Sequence, residues 1–326
     1  MIQGISIENF RLFHRTEING FGLVNLFSGK NNSGKTCLME ALYAALKGSL
    51  YVSTNLRQQK LPLSDAQKNL FFNTNTSKPI IFDIRLNNDK TYQVHSNYIN
   101  REIETKYFFN NSDAYKQGVY DEVHFWNDNR ISFILSKDEQ YPDTLNLSAE
   151  FDRADIKGES ELILKAIQII DPSVSEAKTY ATFPETLFLR KKGEKAALPI
   201  TNYGDALQKM MRYILTIVKL ENEQTSGGKF LLIDEIENGL HHTVQQEFWT
   251  MLFQLAVEYN IQIFATTHSS EMIEAFAEVA QKPQFANKGV FYELFRHIKT
   301  NEIIANKFNP NTLEYNIQHK LSLRGE

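Results

Sequence analysis

The stretch "LFSGKNNSGKTCLMEAL", residues 26 to 42, constrains the fold of this chain more than any other. Residues 29 to 36, Gly29-Lys30-Asn31-Asn32-Ser33-Gly34-Lys35-Thr36, satisfy G-x-x-x-x-G-K-[ST] at every fixed position. The preceding run "GLVNLFSG" is short, apolar and ends at glycine, as a strand feeding a loop does. After the loop, Leu38, Leu42 and Leu46, with Ala41 and Ala45, recur at helical spacing up to Gly48. Strand, glycine loop and helix in that order predict a polyphosphate cradle. Its glycines let the backbone from Asn31 through Ser33 to Gly34 curl so that N–H groups face the anion, and the positive end of the helix adds to the attraction. Lys35 is expected to reach the β and γ phosphates of ATP, and the Thr36 hydroxyl to join a Mg²⁺ shell.

Such a cradle calls for an acid at the end of a second buried strand. "KFLLIDEIENGLHH" supplies it: Phe230 to Ile233 form an apolar run that ends at Asp234 and Glu235. Asp234 is expected to hold Mg²⁺, and Glu235 to orient or deprotonate the attacking water. A third run, "IQIFATTHSSEMIEAF", reads as a strand from Ile261 to Ala265, then Thr266-Thr267-His268-Ser269, then a helix. His268 at that strand end is placed to sense or polarise the γ-phosphate. Upstream of the acid strand, Asn202-Tyr203-Gly204-Asp205 opens a helix with Leu207, Met210, Met211, Ile214 and Ile217 on one face, and such a helix start can bind an anion.

About 200 residues separate Lys35 from Asp234, far beyond the dozen or so of a βαβ crossover. The intervening chain therefore carries structure of its own. Residues 79 to 109 read as β strands with an Asn-Asn-Asp-Lys turn, and "SELILKAIQII" reads as a helix between Ser160 and the Asp171-Pro172 break. The expected division is an ATPase head core at 1–50 and 198–326, a β-rich lobe at 51–145 and a helical/β insertion at 146–197. No sustained heptad pattern predicts a coiled-coil arm.

Composition excludes little but sets direction. A net charge of −4 and a pI near 6.1 give no overall attraction to nucleic acid, so DNA binding has to come from a local groove. The charged opening and the lack of a long apolar run predict a cytoplasmic protein without a membrane segment. Cys37, the single cysteine, argues against disulfides and a cysteine-based metal site. The basic turn from Arg190 to Lys195 reads as a solvated hairpin in preference to a DNA contact. His241-His242 suggests metal less than it does two rings pointing different ways on a helix.

The ordered set "IENFRLF", "GKNNSGKT", "NYGDAL", "LLIDEIENGLHH" and "ATTHS" resembles the ABC-type ATPase heads of the RecF, SMC and OLD superfamily, and most of all compact AAA15/OLD-like ATPases. The resemblance covers roughly the first fifty residues and most of the chain after about residue 198. It implies an α/β P-loop fold with a mixed central sheet, an antiparallel β lobe and a partly helical insertion. It also implies that Lys35 and Thr36 bind phosphate and Mg²⁺, that Asp234 is the second Mg²⁺ anchor, Glu235 the base and His268 the switch histidine. Asn238 to His241 falls where such heads have the loop that touches the opposite subunit. The signature that meets a partner's γ-phosphate maps to Asn202 to Ala206, with Asn202 and Gly204 as nucleotide contacts; Tyr203 and Ala206 depart from the serine and second glycine of many relatives. Arg11 matches a basic residue near nucleotide in some SMC-like heads, against a plain surface role, and the Q-loop glutamine falls to Gln58 or Gln59.

The resemblance further implies homo-oligomeric heads glued by ATP, acting on a separate effector, a nuclease or toxin, in antiphage defence. OLD proteins usually carry a TOPRIM nuclease after the head. This chain has no D-x-D pair for its metal site, and "FYELFRHIKTNEIIANKF" and the residues after it resemble the head's last strand and helix. Two other classes stay open: a DNA-repair or maintenance ATPase that binds DNA directly, and a GTPase or small-molecule kinase, against which stand the missing N-K-x-D motif and the Glu235–His268 pair.

Overall fold

A computed structural model describes residues 1–50, 63–87, 89–109, 130–134, 146–222 and 227–308, with 312–313 and 316–317. Gln58 and Gln59 lie outside the described residues. In chain order the main elements are β1 (Ile2–Phe10), β2 (Phe13–Asn19), β3 (Val24–Ser28), α1 (Lys35–Lys47), α2 (Leu63–Lys68), β4 (Ile80–Leu86), β5 (Thr91–Ile99), β6 (Glu102–Phe109) and β7 (Arg130–Ile134). Then come α3 (Leu147–Ile156), α4 (Ser160–Ile170), β8 (Val174–Tyr180), β9 (Phe183–Lys191), β10 (Leu198–Pro199), α5 (Asp205–Asn222), β11 (Lys229–Ile233), α6 (Gln245–Tyr259), β12 (Ile261–Thr266), α7 (Ser270–Ala280), β13 (Gly289–Arg296) and β14 (Ile303–Phe308).

Two large sheets face each other across α1. The first is antiparallel, in the order β2-β1-β4-β5-β6, so strands from residues 80 to 109 extend the sheet that the N-terminus begins. The second runs β14-β13-β3-β12-β11-β7; it is parallel except for β14, which pairs antiparallel with β13. Period-2 alternation sorts its side chains. Phe230 and Leu232 of β11 and Phe264 of β12 join α1 and the first sheet in one core, while Leu231, Ile233, Ile263 and Ala265 join α5, α6 and α7 in the other. A strand buried on both faces is a near-continuous apolar run, which is why "FLLI" and "IQIFA" stand out, the latter with its one polar residue, Gln262, hydrogen-bonded to the Ile2 and Gly22 carbonyls. Packed on every side, α1 is apolar almost all round, and it ends at Gly48 in the left-handed region.

The segment from 146 to 200 packs α3 and α4 against α5 and closes a small sheet, β10-β9-β8. The basic turn there is held by acids: Arg190 pairs with Glu176 at 2.8 Å and Lys191 with Asp171 at 2.9 Å. At the other end of the chain, residues 289 to 308 form two antiparallel strands where one last strand was expected; the expected helix falls mostly outside the described residues, of which 312–313 and 316–317 are helical. The reason is local pairing: the Thr16 hydroxyl donates to the Ile303 carbonyl at 2.7 Å and Ile303 is buried, which keeps 303–308 extended against the first sheet. No helix among the described residues is long and apolar enough to cross a membrane.

Candidate functional site

The register of the second sheet decides where the chemistry collects. Ile233 stands opposite Ala265, and Ala265 and Thr266 stand opposite Leu26 and Phe27, so three parallel strands end on one edge. The phosphate loop leaves β3 there, the two acids leave β11 and the Thr-Thr-His run leaves β12. Open α/β sheets bind ligands outside the carboxyl ends of their strands for this reason.

The loop folds as its glycines allow. Gly29 has φ 148° and Gly34 φ 95°; a Cβ on Gly29 would lie 2.2 Å from the Leu294 carbonyl oxygen, and one on Gly34 2.6 Å from Ile303 Cδ1. Asn32 also enters the left-handed region, at φ 63°. The curl presents its own carbonyls to Lys35, whose Nζ donates to the Gly29 oxygen at 2.6 Å and the Lys30 oxygen at 2.8 Å and lies 3.4 Å from Ser33 Oγ. Burial lowers the Lys35 ammonium to about 8, against the pull of Asp234, Glu237 and Glu235.

Asp234 meets the loop through Thr36, whose hydroxyl donates to Oδ2 at 3.0 Å. A second hydroxyl, Thr266 Oγ1, donates to Oδ1 at 2.6 Å and accepts the Glu235 backbone N–H at 2.8 Å. Burial pushes the Asp234 carboxyl up from its ordinary value, with Glu235 and Glu40 adding to the shift and the two threonine hydroxyls opposing it. Glu235 itself turns at φ 51°, and its Oε2 accepts from Asn238 Nδ2 at 2.8 Å. The His268 N–H donates to Glu237 Oε1 at 2.7 Å.

A cavity of about 780 Å³ opens over these groups, walled on one side by Asn31, Asn32, Gly34, Lys35 and Thr36 and reached by Glu235 and His268. Its other wall comes from Arg11, Leu12, Asn69, Phe71, Asn73 and Thr74. Arg11 is not on the surface: its side chain is 6% exposed and its Nε pairs with Glu40 Oε2 at 2.7 Å. Cys37, next to Thr36 in α1, is buried and also lines the cavity. Thr266, Glu40 and the Asn69–Thr74 segment escaped the sequence reading. The doubled threonine before His268 was the available signal for the first; the others carry none, since their place in the wall depends on the first sheet docking over α1.

Asn202 and Gly204 stay apart from this group. Both are exposed at the start of α5, where the Gly204 carbonyl accepts the Leu207 N–H at 3.1 Å. They neighbour the Asn238–His241 loop: a Cβ on Gly239 would lie 3.4 Å from the Ala206 nitrogen. The histidines of that loop also differ from expectation. They precede α6 in a 3₁₀ turn instead of lying on a regular helix, and their rings are 4.2 Å apart. Among the described residues no cluster of three or more His, Cys, Asp or Glu forms a metal-binding group.

Solved structures share this architecture at low identity. An SMC head domain from Thermotoga maritima aligns with a TM-score of 0.55 at 14% identity, covering 94% of this chain and 99% of that one. An SMC head bound to the C-terminal winged-helix domain of ScpA aligns with a TM-score of 0.62 at 14% identity, covering 97% and 99%. A curated protein of Helicobacter pylori named "ATP/GTP phosphatase" is 25% identical over the full length of both chains. The fold is that of the SMC heads, with phosphate loop, paired acids and histidine on one sheet edge, and the chain is an ATPase of the AAA-domain class. The chain belongs to the family described as "AAA domain, putative AbiEii toxin, Type IV TA system", whose model matches residues 24–274.

Proposed function

We propose that this ATPase works with Mg²⁺ as a nucleotide-gated clamp: ATP joins two heads, hydrolysis parts them, and the cycle controls a separate effector, a nuclease or toxin, in antiphage defence. One observation carries the chemical part. Thr36 and Asp234, some two hundred residues apart, share a hydrogen bond beside a buried lysine and within electrostatic reach of a second carboxylate, Glu235.

The donor set fits a divalent cation. Asp234 is buried, carries a carboxyl raised by that burial and accepts from the Thr36 and Thr266 hydroxyls, so a cation beside it would offset an electrostatic cost. Thr36 and Asp234 would hold it, and when bound it supplies charge neutralisation for the phosphate oxygens. The rest is done by the chain. The loop N–H groups and Lys35 bind the phosphates, Lys35 exchanging the Gly29 and Lys30 carbonyls for phosphate oxygens. Glu235 accepts a proton from the attacking water, and His268 contacts the terminal phosphate.

The clamp reading draws on the signature-like segment, which leaves Asn202 and Gly204 exposed and away from their own cavity, free to meet a second copy. The acid-paired basic turn weighs against the DNA-maintenance reading. The deciding experiment is Glu235→Gln with ATP and Mg²⁺. The clamp requires an ATP-trapped dimer by light scattering; a variant that binds ATP and stays monomeric ends that reading. In parallel, DNA that stimulates wild-type hydrolysis severalfold would favour direct DNA binding.

A further inference from the structure

"IDEIENG" holds a third acid that neither the phosphate-loop logic nor the resemblance assigns. Glu235 at φ 51° kinks the chain, and the Ile236 N–H then donates to the Thr266 carbonyl at 2.9 Å, which returns the segment toward β12. The kink delivers Glu237 to the turn after β12. There its Oε1 accepts the His268 N–H at 2.7 Å, one side-chain bond spanning two loops that are 31 residues apart in sequence. Its Oε2 is buried and, among the described residues, has no hydrogen-bond partner, so the carboxylate is not placed there for its own solvation. It is also close enough to act on Lys35, where its pull on the ammonium ranks after that of Asp234 and before that of Glu235. Glu237 does not itself wall the cavity, whereas Glu235 and His268 both do.

We propose that Glu237 is a positioning residue for hydrolysis: it fixes His268 relative to Glu235 by tying the turn after β12 to the turn after β11. The inference rests on the ATPase reading above. A side-chain bond suits this task because Glu235 and His268 leave different strands, and the Glu237 carboxylate reaches the His268 N–H directly from the turn that carries Glu235. Misplacing a reacting group by about 1 Å costs on the order of 100-fold in rate, while phosphate binding depends on the separate loop after β3.

The test uses Glu237→Ala, Glu237→Asp and Glu237→Gln in the full chain. With Mg·ATP, Ala and Asp should lower kcat by about 10- to 100-fold with KM within about 2-fold of wild type, because Asp is one methylene too short to reach. Gln keeps an acceptor oxygen and should restore kcat to within about 3-fold. Hydrogen exchange without nucleotide gives a second readout: residues 267–270 should exchange faster in Ala and Asp, and as wild type in Gln. Unchanged exchange in Ala, unchanged kcat in Ala, or a Gln variant as slow as Ala would each overturn the proposal. Faster exchange in Ala alongside a wild type that hydrolyses no ATP would leave the tie standing and sink the ATPase reading instead. Matching thermal melts keep misfolding out of the comparison.

Discussion

At the residue scale, burial makes Lys35 a pH-sensitive group, so the phosphate contact proposed for it carries a pH dependence. Its folded pKa is lowered to about 8, so without nucleotide it is charged below that pH and increasingly neutral above it. Phosphate favours the ammonium form, so binding takes up a proton above pH 8. Affinity for ATP should therefore be flat up to about pH 8 and fall by up to about tenfold per unit beyond it. Titration calorimetry from pH 7 to 9.5 checks this, with Lys35→Arg, charged throughout, as the control that should stay flat. The same lowered pKa means that charged Lys35 destabilises the nucleotide-free fold below pH 8, and that this cost is relieved as pH rises toward the unfolded value of 10.5. Thr266 tests a different local link. Fully buried, it donates to Asp234 and accepts from the Glu235 N–H. Thr266→Val keeps the shape but leaves that N–H unpaired, at a cost of about 1–3 kcal/mol by urea denaturation. Hydrolysis should fall by about tenfold or more as Asp234 and Glu235 lose their shared anchor.

Elements were legible in proportion to how local their cause is. The phosphate loop is written in eight consecutive residues because its conformation needs glycine at fixed places, and α1 follows from apolar spacing closed by Gly48. β11 and β12 stand out because burial on both faces favours near-continuous apolar runs, interrupted in β12 by Gln262, whose buried amide bonds the Ile2 backbone and the Gly22 carbonyl. The order β11-β7 was not legible, since nothing in "RISFI" tells a core strand from one in the lobe, and its pairing spans about a hundred residues. The cavity wall from Asn69 to Thr74 was hidden for the same reason: it is tied to the first sheet by long-range contacts, as Phe71 bridges to Phe10 and the Leu70 carbonyl accepts the Arg11 N–H at 2.7 Å. A prediction at this scale concerns how closely the loop and β14 pack. In Gly34→Ala the new methyl would sit 2.6 Å from Ile303 Cδ1 at φ 95°, so the variant should lose about 1–3 kcal/mol of stability and much of its ATP affinity. Gly204→Ala, where nothing lies within 4 Å of the added carbon, is the neutral comparison for stability.

For the whole molecule the open matter is whether the exposed start of α5 completes a second protomer's site. One protomer gathers Lys35, Thr36, Glu235 and His268 around its cavity, with Asp234 hydrogen-bonded to Thr36, but leaves Asn202 and Gly204 outside it. A segment built to serve its own nucleotide would be expected in that wall. One built to serve a partner would be exposed, as this one is, and near the loop from Asn238 to His241, as it also is. Gly204 is exposed and no described residue lies within 4 Å of a Cβ placed on it, so a charged side chain there is expected to extend into solvent at little cost to its own protomer. Gly204→Arg placed in a Glu235→Gln background should therefore keep the melting temperature and bind ATP as the parent does, yet fail to form the ATP-dependent dimer in sedimentation velocity. In the otherwise wild-type chain, Gly204→Arg should cut steady-state hydrolysis severalfold while leaving single-site ATP binding intact. Dimers of normal affinity in the double variant would show that α5 does not face the partner. Hydrolysis would then have to be completed within one protomer, by the residues already gathered at the ends of β3, β11 and β12.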